Sequence, residues 1–343
     1  PGIEYYGWDS QTTFSDTPYQ IAGTNFFIQN WDRLYHGTVS MSRALSWSYN
    51  IPAVRAFETV GYERAKHFAE KLDIPVTKDE PTTAIGGNVD GVSPTQMAGA
   101  FASFGNKGYY NKPSTIVKIF NANGKELPNI KNEPVKAMSE ETAYLITNVL
   151  KGVLTSNGIS PNGKVANFDM AGKSGSSTFD DSAYYNFGID VVNSTKDSWM
   201  IGYTTDYTVS VWQGADVLDS AAKALSSEQA QTTQVIMADV MKKVSDKKTP
   251  AAFEKPAGIE TKNGVEYAKE RNTETDHVYA GTDRDAVYQA AIAQKQRDSR
   301  SALTTVFNSL TNSTNRANSS VATQRQTAGR TNQTNRATNQ NRG

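Results

Sequence analysis

The chain contains no cysteine and only three histidines, His36, His67 and His277, in 343 residues. The first absence excludes disulfides, thiol nucleophiles and cysteine-bound metals. The second leaves little for imidazole chemistry. His67 stands among Arg64, Ala65, Lys66 and Phe68 in a predicted helix, His277 lies in a polar stretch, and neither comes with a nucleophile elbow. No His/Asp/Glu spacing suggests zinc, so all three histidines read as structural or exposed, and neither a metal nor a cofactor is expected. No apolar run approaches 18 residues, so nothing in the sequence spans a membrane as a helix. Charge of either sign is also not in excess: 35 Lys and Arg balance 35 Asp and Glu, which gives no electrostatic footprint for nucleic acid.

What the chain does have is Lys173-Ser174-Gly175, inside Asp169-Met170-Ala171-Gly172-Lys173-Ser174-Gly175-Ser176-Ser177-Thr178. A cation, a hydroxyl and flanking glycines suit a ligand ending in a carboxylate: the cation neutralises it, the hydroxyl donates to it, and the glycines admit close backbone approach. Three readings compete: a phosphate loop, a Ser/Lys acyl-transfer site, and a plain strand with a glycine bulge. A phosphate loop needs a glycine five residues before Gly172, where Asn167 stands, and a helix after Ser174, where Gly175, Ser176, Ser177 and Thr178 follow. Downstream, Ser198-Trp199-Met200-Ile201-Gly202-Tyr203 and Tyr207-Thr208-Val209-Ser210-Val211-Trp212 flank a short polar turn and read as an antiparallel hairpin, with the Lys173 segment as a neighbouring strand. Residues 179–196 read as a surface loop near the site.

A second constellation lies far upstream. Thr38 is a candidate N-cap for a helix over Val39 to Trp47, in which Met41, Ala44, Leu45 and Ser48 share a face. Pro52 disfavours helical geometry at Ile51. The next helix is expected from Pro52 to about Leu72, with Gly61 as an interruption. Ser48-Tyr49-Asn50 is thereby presented at a helix–turn–helix corner, where Ser48 and Asn50 read either as caps or as site residues. Ser93-Pro94-Thr95-Gln96 opens a further helix with a capping box, and Gly105-Asn106-Lys107-Gly108 closes it.

Together these residues resemble the penicillin-binding protein and class A β-lactamase set of Ser-x-x-Lys, Ser-x-Asn and Lys-Thr-Gly. Ser48-Tyr49-Asn50 fits the second element, and Lys173-Ser174-Gly175 fits the third with serine for threonine. The likeness runs over roughly residues 1–250. It takes in Asn30-Trp31-Asp32-Arg33, Tyr35-His36-Gly37-Thr38-Val39, Ala84-Ile85-Gly86-Gly87, Ala100 to Gly108, Asp197 to Thr204 and Val211-Trp212-Gln213-Gly214. It is closest to the C-terminal transpeptidase domain of class A penicillin-binding proteins.

The resemblance implies an α+β fold with an antiparallel sheet flanked by helices. It implies a DD-transpeptidase that cross-links peptidoglycan by acyl transfer from D-Ala-D-Ala stem peptides and is acylated by β-lactams. Ser48 would shuttle a proton, and Asn50 would hold the substrate amide. Lys173 would supply positive potential, Ser174 with Ser176 would bind the terminal carboxylate beside Gly175, and the Ser176 N–H would serve the oxyanion. A class A enzyme would also carry an upstream glycosyltransferase domain and anchor, at the outer face of the cytoplasmic membrane, with cell-wall or division machinery as further partners. Residues 1–47 hold no serine followed three residues later by lysine. The Ser245-Asp246-Lys247-Lys248 match follows Ser48 and Lys173, in the wrong order, and closes a helix. The nucleophile is therefore expected upstream of Pro1, the chain being a C-terminal fragment. The alternatives are a β-lactamase-like hydrolase and a non-catalytic wall-binding module.

The expected organisation is a transpeptidase domain over 1–270 lacking its N-terminal part, a linker over 271–310 with a marginal helix near 285–310, and a tail over 311–343. Val217 to about Lys248 reads as one long helix docking through Val235, Ile236, Val240 and Val244, followed by a loop and a small strand from Pro250 to Tyr267. The tail carries Arg316, Arg325, Arg330, Arg336 and Arg342 and no acidic or aromatic residue. That composition predicts disorder, with weak attraction to anionic wall polymers as the alternative to a merely solvated tail.

Overall fold

A computed structural model describes residues 1–87, 91–127, 133–179, 181–217, 219–246 and 248–270, all within a compact unit spanning Pro1–Val278. His277, the segment 285–310 and the tail 311–343 lie outside the described residues. The elements in chain order are α1 (Gly2–Tyr6), β1 (Thr13–Asp16), β2 (Tyr19–Gln20), β3 (Phe27–Ile28), β4 (Gly37–Ser40), α2 (Met41–Ser46), α3 (Asn50–Val60), α4 (Tyr62–Glu70) and α5 (Pro94–Gly105). They continue with β5 (Tyr109–Tyr110), β6 (Val135–Lys136), α6 (Glu140–Lys151), β7 (Ala171–Ser177), α7 (Asp181–Phe187), β8 (Ser194–Thr195), β9 (Asp197–Tyr203), β10 (Thr208–Gly214), β11 (Leu225–Ser226), α8 (Ser227–Val244), β12 (Ile259–Lys262) and β13 (Val265–Ala268). Helices flank antiparallel sheets, the α+β arrangement expected.

The sheet that matters runs β10-β9-β7, antiparallel throughout. Thr208 pairs with Tyr203 and Gly214 with Asp197 on one side of β9; Ala171 pairs with Tyr203 and Ser177 with Asp197 on the other. The hairpin and its Lys173 neighbour are as the sequence indicates. Helices α8 and α5 pack against β9 and β10, and α6 against β7. The core between them holds Leu150, Val153, Leu154, Met170, Met200, Tyr203, Met237 and Met241. Tyr203 is fully buried, and its hydroxyl shares a 2.9 Å hydrogen bond with Thr147 Oγ1. Burial pushes the phenol above its usual range.

Four sequence expectations need correction. Helix α8 docks through Thr233, Met237 and Met241, which are buried, while Val235, Ile236, Val240 and Val244 are exposed. The docking seam is an i, i+4, i+8 row whose Met237 side chain reaches Gly163 and Gly202. A Cβ at Gly202 would lie 2.3 Å from Met237 Sδ, so flexible thioethers fill a space that β-branched side chains do not. The helix also starts ten residues later than expected, at a capping box formed by Ser226 and Gln229. Next, Thr38 and Val39 do not begin a helix: they pair with Ser15 and Phe14, and Ser40 caps α2 by accepting from the Arg43 N–H. Last, residues 179–196 are not simply a loop, since α7 and β8 lie within them. The Gly61 interruption between α3 and α4 and the Ser93/Gln96 capping box of α5 are present as expected.

Candidate active site

The corner at Ser48 is a helix ending with an unusual occupant. The Ser48 N–H donates to the Leu45 carbonyl (3.2 Å) and the Tyr49 N–H to the Ala44 carbonyl (2.9 Å). Those two bonds close a Schellman motif, whose left-handed position normally holds glycine. Here it holds Ser48, with φ of 57°. A side chain in that conformation costs about 1–2 kcal/mol. The next residues start α3 at once, so the backbone reverses tightly at Ser48. Trp31 braces the turn: its indole N–H donates to the Trp47 carbonyl at 2.8 Å, and the two rings stack 13° from parallel.

Strand β7 brings the second element to that corner. Lys173 Nζ donates to Ser48 Oγ at 2.6 Å and to the Ser174 carbonyl at 2.9 Å. Two motif fragments 125 residues apart thus meet through one hydrogen bond. The ammonium is buried, and desolvation lowers its pKa from 10.5 to about 8. A buried cation with two neutral oxygen partners attracts an anion strongly, because an incoming carboxylate would compensate the charge that water no longer solvates.

The outer edge of β7 is the natural seat for such a ligand. Among the described residues β7 pairs only with β9. The Ser177 carbonyl accepts the Lys196 N–H at 3.0 Å, on the paired side. Alternation along a strand therefore turns the N–H and C=O of Ser176 and Ser174 to the free edge. The two neighbouring glycines have different reasons. A Cβ at Gly172 would lie 2.6 Å from the Ile201 carbonyl oxygen, so the sheet itself demands glycine there. A Cβ at Gly175 would meet only Trp199 Cβ at 3.5 Å, an ordinary contact, and Gly175 is exposed. Packing does not explain it, whereas close approach of a second backbone does.

Asn50 is anchored on the segment that holds Gln29 and Asn30. Its Nδ2 donates to the Gln29 carbonyl at 2.8 Å, and its backbone N–H donates to Asn30 Oδ1 at 2.9 Å. His36, with Asp16 beneath it, stacks on Tyr49 with ring centres 4.1 Å apart. The sequence reading of His36 as structural agrees with this placement. The far end of the edge is tied by Asp197, which accepts from Trp212 Nε1 at 3.0 Å and from Ser177 Oγ. Among the described residues no group of His, Asp or Glu is arranged to hold a metal ion. Asp16 and Asp32 lie on opposite nitrogens of His36 and share no centre.

Two serines are followed three residues later by lysine. Ser245 is buried, and its hydroxyl donates to the Met241 carbonyl at 2.8 Å. The same spacing also occurs at Ser220-Ala221-Ala222-Lys223, which sequence reading passed over. There the exposed Lys223 ammonium is bound to Asp219 at 2.7 Å and to the Val217 carbonyl.

Comparison with known proteins assigns the family. Residues 2–242 match the sequence profile of the penicillin binding protein transpeptidase domain. This chain belongs to that family. The transpeptidase domain is 37% identical over 264 residues to penicillin-binding protein 1A/1B of Bacillus subtilis, covering 76% of this chain and 28% of the relative. It is 37% identical over 221 residues to penicillin-binding protein 1A of Streptococcus pneumoniae, covering 62% and 30%. The chain thus spans under a third of those relatives' length. In fold it is similar to penicillin-binding protein 1A from Haemophilus influenzae, with a TM-score of 0.60 at 21% identity over 76% of this chain and 45% of that one. It is also similar to PonA1 from Mycobacterium tuberculosis in complex with penicillin V, with a TM-score of 0.59 at 20% identity over 78% and 71%. No described helix of the domain is long and apolar enough to cross a membrane.

Proposed function

We propose that this domain belongs to a class A penicillin-binding protein and is its DD-transpeptidase, acting on D-Ala-D-Ala stem peptides of peptidoglycan. The 2.6 Å contact from Lys173 Nζ to Ser48 Oγ carries the reading. It couples a desolvated cation to a hydroxyl raised on a strained turn, beside an open strand edge.

The donor peptide adds to β7 as a further strand. Its terminal carboxylate lies against Lys173 and the Ser174 and Ser176 hydroxyls. A serine nucleophile attacks the penultimate D-Ala carbonyl, forms a C–O bond and yields its proton toward Ser48 through the lysine of its own Ser-x-x-Lys element. The negative charge on the carbonyl oxygen is met by the Ser176 N–H at the free edge. The C–N bond to the last D-Ala then breaks, and Ser48 passes a proton to the leaving amine. Lys173 favours this by donating to Ser48 Oγ, which turns the serine proton outward. Asn50 takes the substrate amide. An amine from a second stem peptide then attacks the acyl-serine, loses its proton along the same path and frees the serine.

The acylated serine lies, in this reading, in a Ser-x-x-Lys element outside residues 1–343, because Lys223 beside Ser220 is engaged by Asp219 and Ser245 is buried. The domain would work on the outer face of the cytoplasmic membrane, with any anchor and glycosyltransferase domain in other parts of the protein. β-Lactams, as carboxylate-bearing mimics of the stem peptide, would acylate the same serine. Incubating the intact protein with stem peptides tests the reading. D-Ala release and a cross-linked dimer are expected, and Lys173→Ala should remove both. Rapid penicillin turnover instead would favour a β-lactamase, and no acylation at all a wall-binding module.

A further inference from the structure

A buried polar network surrounds the corner that presents Ser48 and Asn50, and the mechanism above does not use it. We propose that Asn30, fixed by Asp16 and His36, is a positioning residue for that corner; the inference rests on the transpeptidase reading of Ser48 and Asn50.

Asn30 is buried, and every hydrogen-bonding atom of its side chain is engaged. Its Oδ1 accepts the backbone N–H of Asn50 at 2.9 Å and of Ile51 at 3.4 Å. These are the first donors of α3, whose N-cap residue Tyr49 makes no capping bond of its own. Asn30 therefore caps the helix from 20 residues away in sequence. Its Nδ2 donates to both carboxylate oxygens of Asp16, each at 2.9 Å, and to the Leu34 carbonyl at 2.8 Å.

Asp16, at 0% exposure, is the anchor. It also accepts the His36 backbone N–H at 3.1 Å and faces His36 Nδ1 at 2.6 Å. The His36 ring then lies 13° from parallel on Tyr49, between the two site residues. Its Nε2 faces Asp32 at 3.2 Å. The neighbouring Gln29 carbonyl holds the Asn50 amide itself. All the outputs of the network fall on Tyr49, Asn50 and Ile51. Ser48, immediately before them, sits in a left-handed conformation that persists only where its surroundings over-determine it. The network supplies that constraint on the α3 side of the corner, as Lys173 does at the hydroxyl. Asp16 lies 14 and 20 residues before Asn30 and His36, so no local motif shows that the three act together.

The test measures acylation of the intact protein by a fluorescent penicillin, separating the limiting acylation rate from the affinity of the complex that precedes it. Asn30→Ala should lower the limiting rate about 10- to 100-fold, as a misplaced reacting group does, with affinity changed no more than about threefold. Leu72→Ala, destabilised in a cluster that shares no residue with the corner, serves as the structural control and should keep the wild-type limiting rate. If Asn30→Ala does not fold, His36→Phe keeps a ring against Tyr49 but removes the donor to Asp16, and should lower the limiting rate about 10-fold. The inference is overturned if the folded variants acylate at the wild-type rate, or if Leu72→Ala slows acylation equally. Ser48→Ala separates the two claims. Wild-type acylation in Ser48→Ala would sink the reading of the corner itself; a dead Ser48→Ala beside a normal Asn30→Ala would sink only the positioning role.

Discussion

Replacing Lys173 by methionine should make the domain more stable and inactive at once, and the gain should vanish at high pH. The ammonium is held at about pH 8 rather than 10.5 because its burial strips away water. At 1.36 kcal/mol per pH unit, the charged folded state carries a penalty of about 3 kcal/mol. The sign follows from proton linkage. Below about pH 8 the lysine is protonated in both folded and unfolded chains, and the whole penalty is present. Between about 8 and 10.5 the unfolded chain binds more protons than the folded one, so wild-type stability rises with pH. Methionine has no such proton. Its stability advantage over wild type should therefore shrink by about 3 kcal/mol between pH 7 and pH 10.5. Denaturant unfolding of both proteins across that range reads the difference directly, since groups common to the two cancel. An advantage that stays constant with pH would refute the buried-cation argument. In the wild type the same titration should weaken acylation by carboxylate-bearing β-lactams above about pH 8, where the attracting charge is lost.

The strained turn predicts that Ser48→Gly is more stable than Ser48→Ala by about 1 kcal/mol, reversing the order usual at helical positions; thermal unfolding of the pair checks it, and equal stabilities would remove the strain. Gly172→Ala should destabilise the domain by about 3 kcal/mol through its clash with the Ile201 carbonyl. Gly175→Ala should leave the unfolding midpoint unchanged while slowing acylation, because its Cβ obstructs only a ligand strand; a loss of stability there would assign the glycine to packing. Met237→Ala, at a fully buried position, should cost about 2–5 kcal/mol in denaturant unfolding.

The parts of the site legible in sequence were those written in local chemistry. The β7–β9–β10 sheet showed itself through β-branched and aromatic runs, and the Ser93/Gln96 cap through its spacing. The Ser48 corner was expected as a break because Pro52 disfavours a helical Ile51, yet Ile51 and Pro52 lie inside α3; the break is the left-handed Ser48, where a serine occupies the place in which glycine would announce it. Helix α8 was misoriented because Val235, Ile236, Val240 and Val244 are the more hydrophobic row, while the buried row of Thr233, Met237 and Met241 is chosen by the shape of the glycine-lined sheet. Thr38 and Val39 have the composition of a helix start, and only pairing with β1, over 20 residues upstream in register, makes them a strand. The Asp16–Asn30–His36 network was only partly legible: the runs holding Asn30 and His36 carry the likeness, but Asp16 lies 14 and 20 residues before them, and no short pattern joins it to them. Ser220-x-x-Lys223 was overlooked in sequence, and its lysine proves to be engaged by Asp219.

The central claim is that Ser48, Asn50 and Lys173 assist a nucleophile rather than supply one. Mapping the penicillin adduct on the intact protein by peptide mass spectrometry tests it most directly. The account predicts a single acylated serine, in a Ser-x-x-Lys element outside residues 1–343, with the adduct lost in Lys173→Ala. An adduct on Ser48, Ser174, Ser220 or Ser245 would contradict it.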